Sequence, residues 1–474
     1  MKKPGLALSL LPIILLVTMI TIGVRLFGDE ISSGTSQISL LFATIITSVI
    51  SIVLLKIPWS KIEEGMMNHL SKTGSAIFIL LMIGALTGSW MISGVVPAMI
   101  YYGLKLIHPA VFLVVTYLLT AVVSLMAGSS WTTVGTIGVA MLSAGQILGI
   151  PTPWLAGAII SGAYFGDKLS PLSDTTNLAA AVAGVDLYTH IKFMLITVTP
   201  AFIIALVIYA IAGFVLPISS TTNIEANLGS ISSVFKISPF LLLVPIFTII
   251  LIVKKVSPFI TLFLSAVVGA LVASFFQPEL CKEIAGDGIE GGVVYFVASL
   301  KMMYGSVSIE TGDAILNSLT ATKGMAGMLN TVWLILCVVT FGGAMEASGM
   351  IQVITERMVR LVKSTFSLVG STVATTLFCN ITLSDQYMAI LLPGKMFSET
   401  YKKMGYEPQL LSRTLEDSGT VTSVLIPWNT CGVAQSGVLG VATLAYLPYS
   451  FFNLLTPVMT LLVAAIGYKI KRKL

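Results

Sequence analysis

The chain alternates between long apolar runs and short polar or glycine-rich interruptions, and that alternation sets the elements it predicts. Apolar stretches near 6–27, 36–55, 73–104, 153–184, 190–216, 238–254, 258–276, 327–361, 409–442 and 447–468 are each long enough to cross the hydrocarbon as a helix, which takes about 20 residues. Inside them Leu, Ile, Val and Ala follow one another without the alternation of a barrel strand. In lipid only helices and closed barrels satisfy their own backbone. The fold class is therefore an all-α polytopic membrane protein. Two further apolar regions, 109–147 and 365–398, are interrupted near the middle by Gly128-Ser129-Ser130-Trp131 and Leu383-Ser384-Asp385-Gln386. Each reads as a re-entrant hairpin, two short helices meeting at a tip. Spans 153–184 and 409–442 are broken in turn, around Gly166-Asp167-Lys168-Leu169-Ser170-Pro171 and Ile426-Pro427-Trp428-Asn429. Such breaks are tolerated at membrane depth only inside protein or beside water.

The order of hairpin followed by broken helix occurs twice. It divides the chain into N-terminal spans (1–72), a first repeat (73–216), connecting spans with a loop (217–326) and a second repeat (327–470). A shift of 255 residues aligns the halves without a gap: Ser93-Gly94 meets Ser348-Gly349, Ser129 meets Ser384, Pro153 meets Pro408, Asp174 meets Asn429 and Thr175 meets Thr430. Lys and Arg in short loops mark the cytoplasmic side. Ten crossings put Lys2, Lys3, Lys56, Lys61, Lys72, Lys254, Lys255, Arg357, Arg360, Lys363, Lys395, Lys402, Lys403, Lys469, Lys471, Arg472 and Lys473 on that side. The acidic loop 277–300 falls opposite. The chain then reads as multi-pass in the inner (cytoplasmic) membrane with both termini cytoplasmic. The hairpins enter from opposite faces, as an inverted repeat requires, and that symmetry places a site near the midplane.

Composition agrees. Of 474 residues 56% are hydrophobic and 10% charged, with a mean hydropathy of +0.97. Soluble domains carry about 25% charged residues, so a water-soluble globule is excluded. The net charge of +5 sits in short clusters between apolar spans and does not suggest nucleic acid. Cys281, Cys337, Cys379 and Cys431 lie too far apart for a readable metal or disulfide framework. Leu6 to Val24 exceeds a signal-peptide core and no Ala-x-Ala site follows it, so it reads as a retained span. His69, His108 and His190 fall at span ends, which favours interfacial placement over proton relay. A bilayer-embedded protease or metalloenzyme would need a His-Glu-x-x-His helix or a Ser/His pair inside the bilayer, and three histidines at span ends argue against both. No enzyme activity and no cofactor are expected.

Broken helices expose unpaired backbone groups, and oxygen-rich breaks suit a hard cation. The first half offers Ser129, Ser130, Thr132, Thr133, Ser173, Asp174, Thr175, Thr176 and Asn177, and the second Ser384, Asp385, Ser418, Thr420, Asn429 and Thr430. Ionisable groups at depth are functional candidates by default. Asp385, at a hairpin tip, and Asp174, at a break, form the core of the expected cation and proton site, with Asp417 facing the same break as Asn429. Na⁺ is assigned to Asp174, Thr175 and Asp385. Helix capping is the competing role for both carboxylates. Glu346, Asp167 and Glu416 are further proton-carrier candidates. An ion pair of Asp167 with Lys168 and partial neutralisation of Glu416 or Asp417 by Arg413 are the structural alternatives. Trp131 and Trp428 are candidates for cavity walls.

The runs Ala127-Gly128-Ser129-Ser130-Trp131-Thr132-Thr133-Val134-Gly135-Thr136 and Gly162-Ala163-Tyr164-Phe165-Gly166-Asp167-Lys168-Leu169-Ser170-Pro171-Leu172-Ser173-Asp174-Thr175-Thr176-Asn177 resemble the NhaC family of Na⁺/H⁺ antiporters. Asp417-Ser418-Gly419 and Pro427-Trp428-Asn429-Thr430 are similar to it too. The resemblance runs from about residue 70 to the C-terminus and implies an elevator-type carrier of the ion-transporter superfamily, often a homodimer, moving Na⁺ against H⁺. The same family includes carriers that resemble malate/lactate exchangers. A carboxylate substrate would need a cationic site, for which Lys168 and Arg413 are the deep candidates. A channel also uses polar breaks, but two hairpins in inverted repeats favour alternating access.

Overall fold

The computed structural model describes residues 3–27, 34–216, 224–309, 317, 321–360 and 362–470; Lys2, Lys471, Arg472 and Lys473, used for orientation, lie outside them. Every regular element described is helical, and the one pairing of extended backbone is an isolated bridge between Val307 and Thr322.

The helices are α1 (Leu6–Phe27), α2 (Thr35–Val53), α3 (Trp59–Ile92), α4 (Val95–Leu106), α5 (Phe112–Ala127), α6 (Ser130–Thr133), α7 (Val139–Ile147), α8 (Thr152–Leu169), α9 (Asp174–Ala183) and α10 (Leu187–Val215). There follow α11 (Ile224–Val234), α12 (Leu243–Val253), α13 (Pro258–Phe276), α14 (Pro278–Ala285), α15 (Val293–Tyr304), α16 (Gly324–Gly327), α17 (Leu329–Ala347), α18 (Met350–Val359), α19 (Thr365–Thr382) and α20 (Gln386–Lys403). Last come α21 (Pro408–Leu415), α22 (Val421–Ser423), α23 (Thr430–Leu439), α24 (Thr443–Tyr446) and α25 (Phe451–Ile466). Large apolar side chains such as Leu26, Phe214, Val215, Phe275 and Ile466 point outward and stay exposed, which in water would be an aggregation liability and in lipid is the required surface.

Among the described residues, 7 helices are long and apolar enough to cross a membrane, or 9 if two pairs bent by 89° and 90° each count as one span. The sequence suggests ten crossings. The difference lies in four expected spans, 153–184, 238–254, 409–442 and 447–468, none of which holds a single qualifying helix, and in Pro109–Ala127, an arm of an expected hairpin that is itself long and apolar enough to cross. Spans 73–104 and 327–361 keep such a helix, ending where Gly94 and Gly349 take left-handed φ of 84° and 73° just after α3 and α17. Glycine adopts that conformation without a Cβ clash. The expected boundary at 72/73 falls inside α3, a single 34-residue helix.

Helix ends locate the two interruptions expected to be hairpin tips. In the first, α5 ends at Gly128 (φ 63°) and Ser129 caps α6, its Oγ accepting from the Thr132 N–H at 3.2 Å. In the second, α19 ends at Leu383, Ser384 takes a φ of 57°, and Asp385 caps α20 by accepting from the Met388 N–H at 2.9 Å. The second tip thus contains one residue more. Up to the tips the ends correspond at a shift of 255, as with Gly94 and Gly349. Beyond them the caps correspond at 256: Ser129 with Asp385, Pro151 with Glu407, Ser173 with Asn429, and Gly184 with Gly440. The ungapped register is corrected accordingly. Asp174 stands opposite Thr430, and Asp385 opposite Ser129.

Small residues bring the elements that carry the breaks into contact. A Cβ at Gly162 would lie 2.3 Å from the Tyr117 carbonyl, and one at Gly166 would lie 2.2 Å from the Ala121 carbonyl, so α8 meets the backbone of α5 directly. This small-xxx-small spacing permits close helix approach without a hydrophobic drive between helices.

Candidate functional site

α8 ends because Pro171 disfavours helical geometry at Ser170, and Asp167 sits in its last turn. Close packing of α8 on α5 carries Asp167 to the first hairpin tip. There its Oδ2 accepts from the Ser130 N–H at 3.0 Å and the Ser130 hydroxyl at 2.7 Å. A Cβ at Gly128 would lie 2.6 Å from that of Leu172, so tip and break abut. In the second half the joint is a backbone hydrogen bond, the Thr430 N–H donating to the Ser384 carbonyl at 2.8 Å. Asn429 reinforces it: its Oδ1 accepts from the Cys431 N–H at 3.0 Å, while its amide donates to the Asn380 carbonyl at 3.0 Å.

Both tips and both breaks open on one cavity of about 280 Å³. Its wall includes Ser129, Trp131 and Thr132 from the first tip, Asp167, Ser173, Asp174 and Thr175 from the first break, Asp385 and Gln386 from the second tip, and Thr430 from the second break. α3 contributes Lys72 and Thr73, and the α12–α13 junction contributes Lys255 and Ser257. Asp174 begins α9 beside the cap residue Ser173 and is exposed. Capping therefore falls on Asp385 and not on Asp174. Among the described residues no three His, Cys, Asp or Glu side chains close on a single point. Any cation here would combine a carboxylate with hydroxyl and backbone oxygens.

Other expected site residues serve the frame. Thr176 donates to the Lys168 carbonyl at 3.0 Å, and Asn177 donates to the Pro171 and Ser173 carbonyls at 3.0 and 2.7 Å, lacing the first break. Asn429 and the Ser384 side chain are likewise outside the cavity lining. The Trp428 indole donates to the Ile381 carbonyl at 2.7 Å, so of the two tryptophans only Trp131 walls the cavity.

Asp417, expected as a site carboxylate, lies outside the cavity lining and at the centre of a buried ionic cluster. It pairs with Lys168, lies 3.9 Å from the Arg413 guanidinium, accepts from Thr197 at 2.7 Å, and is also hydrogen-bonded by Thr460. Lys168 thus turns away from its neighbour Asp167. Neither Lys168 nor Arg413 reaches the cavity, and the cations that do are Lys72 and Lys255. Glu416, in the π-helical turn Glu416–Thr420, accepts from the Thr175 hydroxyl at 3.1 Å. Glu346 contacts His69 and lines a separate cavity. His69 and His190 are both buried within the protein, and the Nδ1 of His190 lies 2.9 Å from the Ser412 hydroxyl. Sequence reasoning missed Lys72 and Lys255 as wall residues because it read them as loop cations. The signal available was the unbroken helical pattern through Lys72.

Hairpin tips and interrupted helices gathered around a polar cavity, inside a multi-span helical membrane protein, define the transporter class. The comparisons with known proteins narrow it. The family model described as "Na+/H+ antiporter family" matches residues 162–468. The chain is 36% identical over 413 residues to the Na(+)/H(+) antiporter NhaC of Alkalihalophilus pseudofirmus, covering 87% of this chain and 86% of that protein. It is 33% identical to the arginine/ornithine antiporter ArcD of Halobacterium salinarum over 100% of this chain and 94% of that one. It is 34% identical to the malate-2H(+)/Na(+)-lactate antiporter of Bacillus subtilis, over 83% and 82%. The chain belongs to the Na⁺/H⁺ antiporter family.

Proposed function

We propose that this protein is a secondary antiporter that exchanges Na⁺ for H⁺ across the cytoplasmic membrane, with the 280 Å³ cavity as its cation and proton site. The observation that carries this is the meeting of Asp167, Asp174 and Asp385 with the hydroxyls of the first tip and of both breaks around that one space. A carboxylate there takes either a proton or a hard cation, and competition between the two is exchange. Family membership and the NhaC relatives support the ion pair chosen. The recurrence of tip, break and caps in the two halves supports an inverted repeat working by alternating access in an elevator-type carrier. The family resemblance supports a homodimer, and the positive-inside pattern supports cytoplasmic termini. Proteoliposomes carrying an internal pH dye test the reading: a preformed pH gradient should collapse on adding NaCl, and an equal response to choline chloride would refute it.

A second reading, exchange of a small carboxylate coupled to Na⁺ and H⁺, is favoured by one observation. Lys72 and Lys255 reach the wall of a cavity larger than a bare ion needs. A malate/lactate exchanger among the relatives agrees with it. Gradient collapse that requires sodium malate or lactate, and fails with NaCl, would select this reading.

A further inference from the structure

A second cavity, of about 540 Å³, opens between the N-terminal segment, α3 and α18, and the His69–Glu346 pair lies on its wall. The pair exists because two helices cross at glycine. A Cβ at Gly65 would lie 2.9 Å from the Gly343 carbonyl, and one at Gly343 would lie 2.7 Å from the Gly65 carbonyl, so α3 and α17 touch backbone to backbone. His69 is one turn beyond Gly65 and Glu346 one turn beyond Gly343, which puts the two side chains on the faces that meet. His69 is 4% exposed and Glu346 31%, so the imidazole is sealed while the carboxyl still opens on the cavity.

The same stretch of α17 holds the second hairpin tip. A Cβ at Gly342 would lie 2.6 Å from the Leu383 carbonyl, and Glu346 is one turn from Gly342 on that face. On α3, Lys72 is three residues from His69 and lines both this vestibule and the cation cavity. The Lys72 ammonium lies 4.0 Å from the sulfur of Met388, in the first turn of the helix that Asp385 caps. The Asp385 tip is thus separated from the vestibule by the His69–Glu346 pair and Lys72. In the corresponding position of the first half, Met91 stands where Glu346 stands in the second. The pair therefore joins α3 to α17, and its carboxylate has no ionisable counterpart at the matching position of the first half.

From this geometry we propose that His69 and Glu346 form a second proton-binding site, through which the Asp385 site exchanges protons with the vestibule. The inference rests on the Na⁺/H⁺ reading above. A proton arriving from vestibule water binds the Glu346–His69 pair, and release of one proton from the pair toward Asp385 restores its charge, so no other reactant is consumed. The charged groups that face the pair are Lys61, Glu64 and Lys72 on α3, Lys3, Glu356 on α18, Lys395 on α20, and Asp385 itself. Neither His69 nor Glu346 reaches the cation cavity, so Na⁺ recognition is independent of them.

The test measures Na⁺-driven proton movement in proteoliposomes across pH 6 to 9 with wild type, His69→Gln, Glu346→Gln and the double variant. The expected result is a fall in maximal rate of at least about tenfold with a shifted pH profile, the scale on which a positioned proton carrier acts. Na⁺ half-saturation should stay within about twofold, and the double variant should lose no more than either single one, because the pair acts as a unit. Single variants that keep the wild-type rate and pH profile overturn the proposal. If the variants do not fold, Gln352→Cys at the vestibule wall keeps it testable, since the native Cys281, Cys337, Cys379 and Cys431 are buried. A bulky thiol reagent should then slow exchange at least about fivefold, and undiminished exchange by the fully labelled protein overturns it. Absence of Na⁺-driven proton movement in wild type would instead refute the antiport reading itself, so the two failures are distinguishable.

Discussion

Replacing Asp385 by Asn separates the structural from the transport role of the tip carboxylate. Asp385 caps α20 through one hydrogen bond, from the Met388 N–H at 2.9 Å. Asparagine caps a helix about as well as aspartate, so the folded state should change by a few tenths of a kcal/mol, whereas Asp385→Ala would lose about 1 kcal/mol. The transport role depends on charge. A cation about 4 Å from the carboxylate gains about 4 kcal/mol at an effective dielectric of about 20. The amide oxygen of Asn returns part of that, and a net loss of about 1.4–2.8 kcal/mol raises Na⁺ half-saturation about 10–100-fold. The amide also carries no exchangeable acid proton, so proton movement at saturating Na⁺ should stop. The assay is dye-reported exchange in proteoliposomes, beside thermal unfolding of the same protein in detergent. A variant that unfolds like wild type and exchanges with unchanged Na⁺ dependence would remove Asp385 from the site.

Three further outcomes are expected. Asp174→Asn should raise Na⁺ half-saturation about 10–100-fold without lowering the unfolding temperature, because its carboxylate caps nothing; equilibrium ²²Na⁺ binding checks it. Asp417→Asn should destabilise the fold by about 3–5 kcal/mol by leaving the buried Lys168 and Arg413 without their counter-charge, read by thermal unfolding. Single cysteines in 277–300, which was expected as a loop but holds α14 and the start of α15, should be labelled from outside, and those at 56–72 and 399–407 from inside; labelling of 56–72 and 277–300 from one side would break the inverted-repeat topology.

Much of this was legible because membranes leave few options for polar backbone. Gly128-Ser129-Ser130 and Ser384-Asp385 are conspicuous in apolar surroundings, and the structure breaks its helices there, with Gly128, Ser129 and Asp385 on one cavity. The single-residue slip between halves was not legible, because it arises from one left-handed residue, Ser384, whose φ no local propensity predicts. The fate of Asp417 was hidden for a related reason. Its nearest charges in sequence are Glu416 and Arg413, but its strongest partner, Lys168, is 249 residues away. Asp167 and Lys168 adjoin in sequence yet point to different neighbours, since consecutive residues on a helix do not share a face. His69 read as a span-end residue because Lys61 and Lys72 flank it, whereas α3 continues through all three.

The slip at the second tip also bears on how tightly the site can hold an ion. With one extra residue, the cap position that is a hydroxyl at Ser129 becomes a carboxylate at Asp385, held by a helix N–H and facing the positive end of the α20 dipole. Asp167 is held in the same manner by the Ser130 N–H and hydroxyl. A cation entering the cavity must share both groups with donors already in place. Asp174 differs: among the described residues its carboxylate makes no hydrogen bond or ion pair, and its interaction with Asp167 is repulsive. A carrier must release its ion on the far side, so one unshared carboxylate among two that are already satisfied gives attraction enough to select a cation without trapping it. On this argument the proposed site takes its affinity from Asp174 and its helix-capped carboxylate from Asp385, while Asp167 fixes the first tip against the first break.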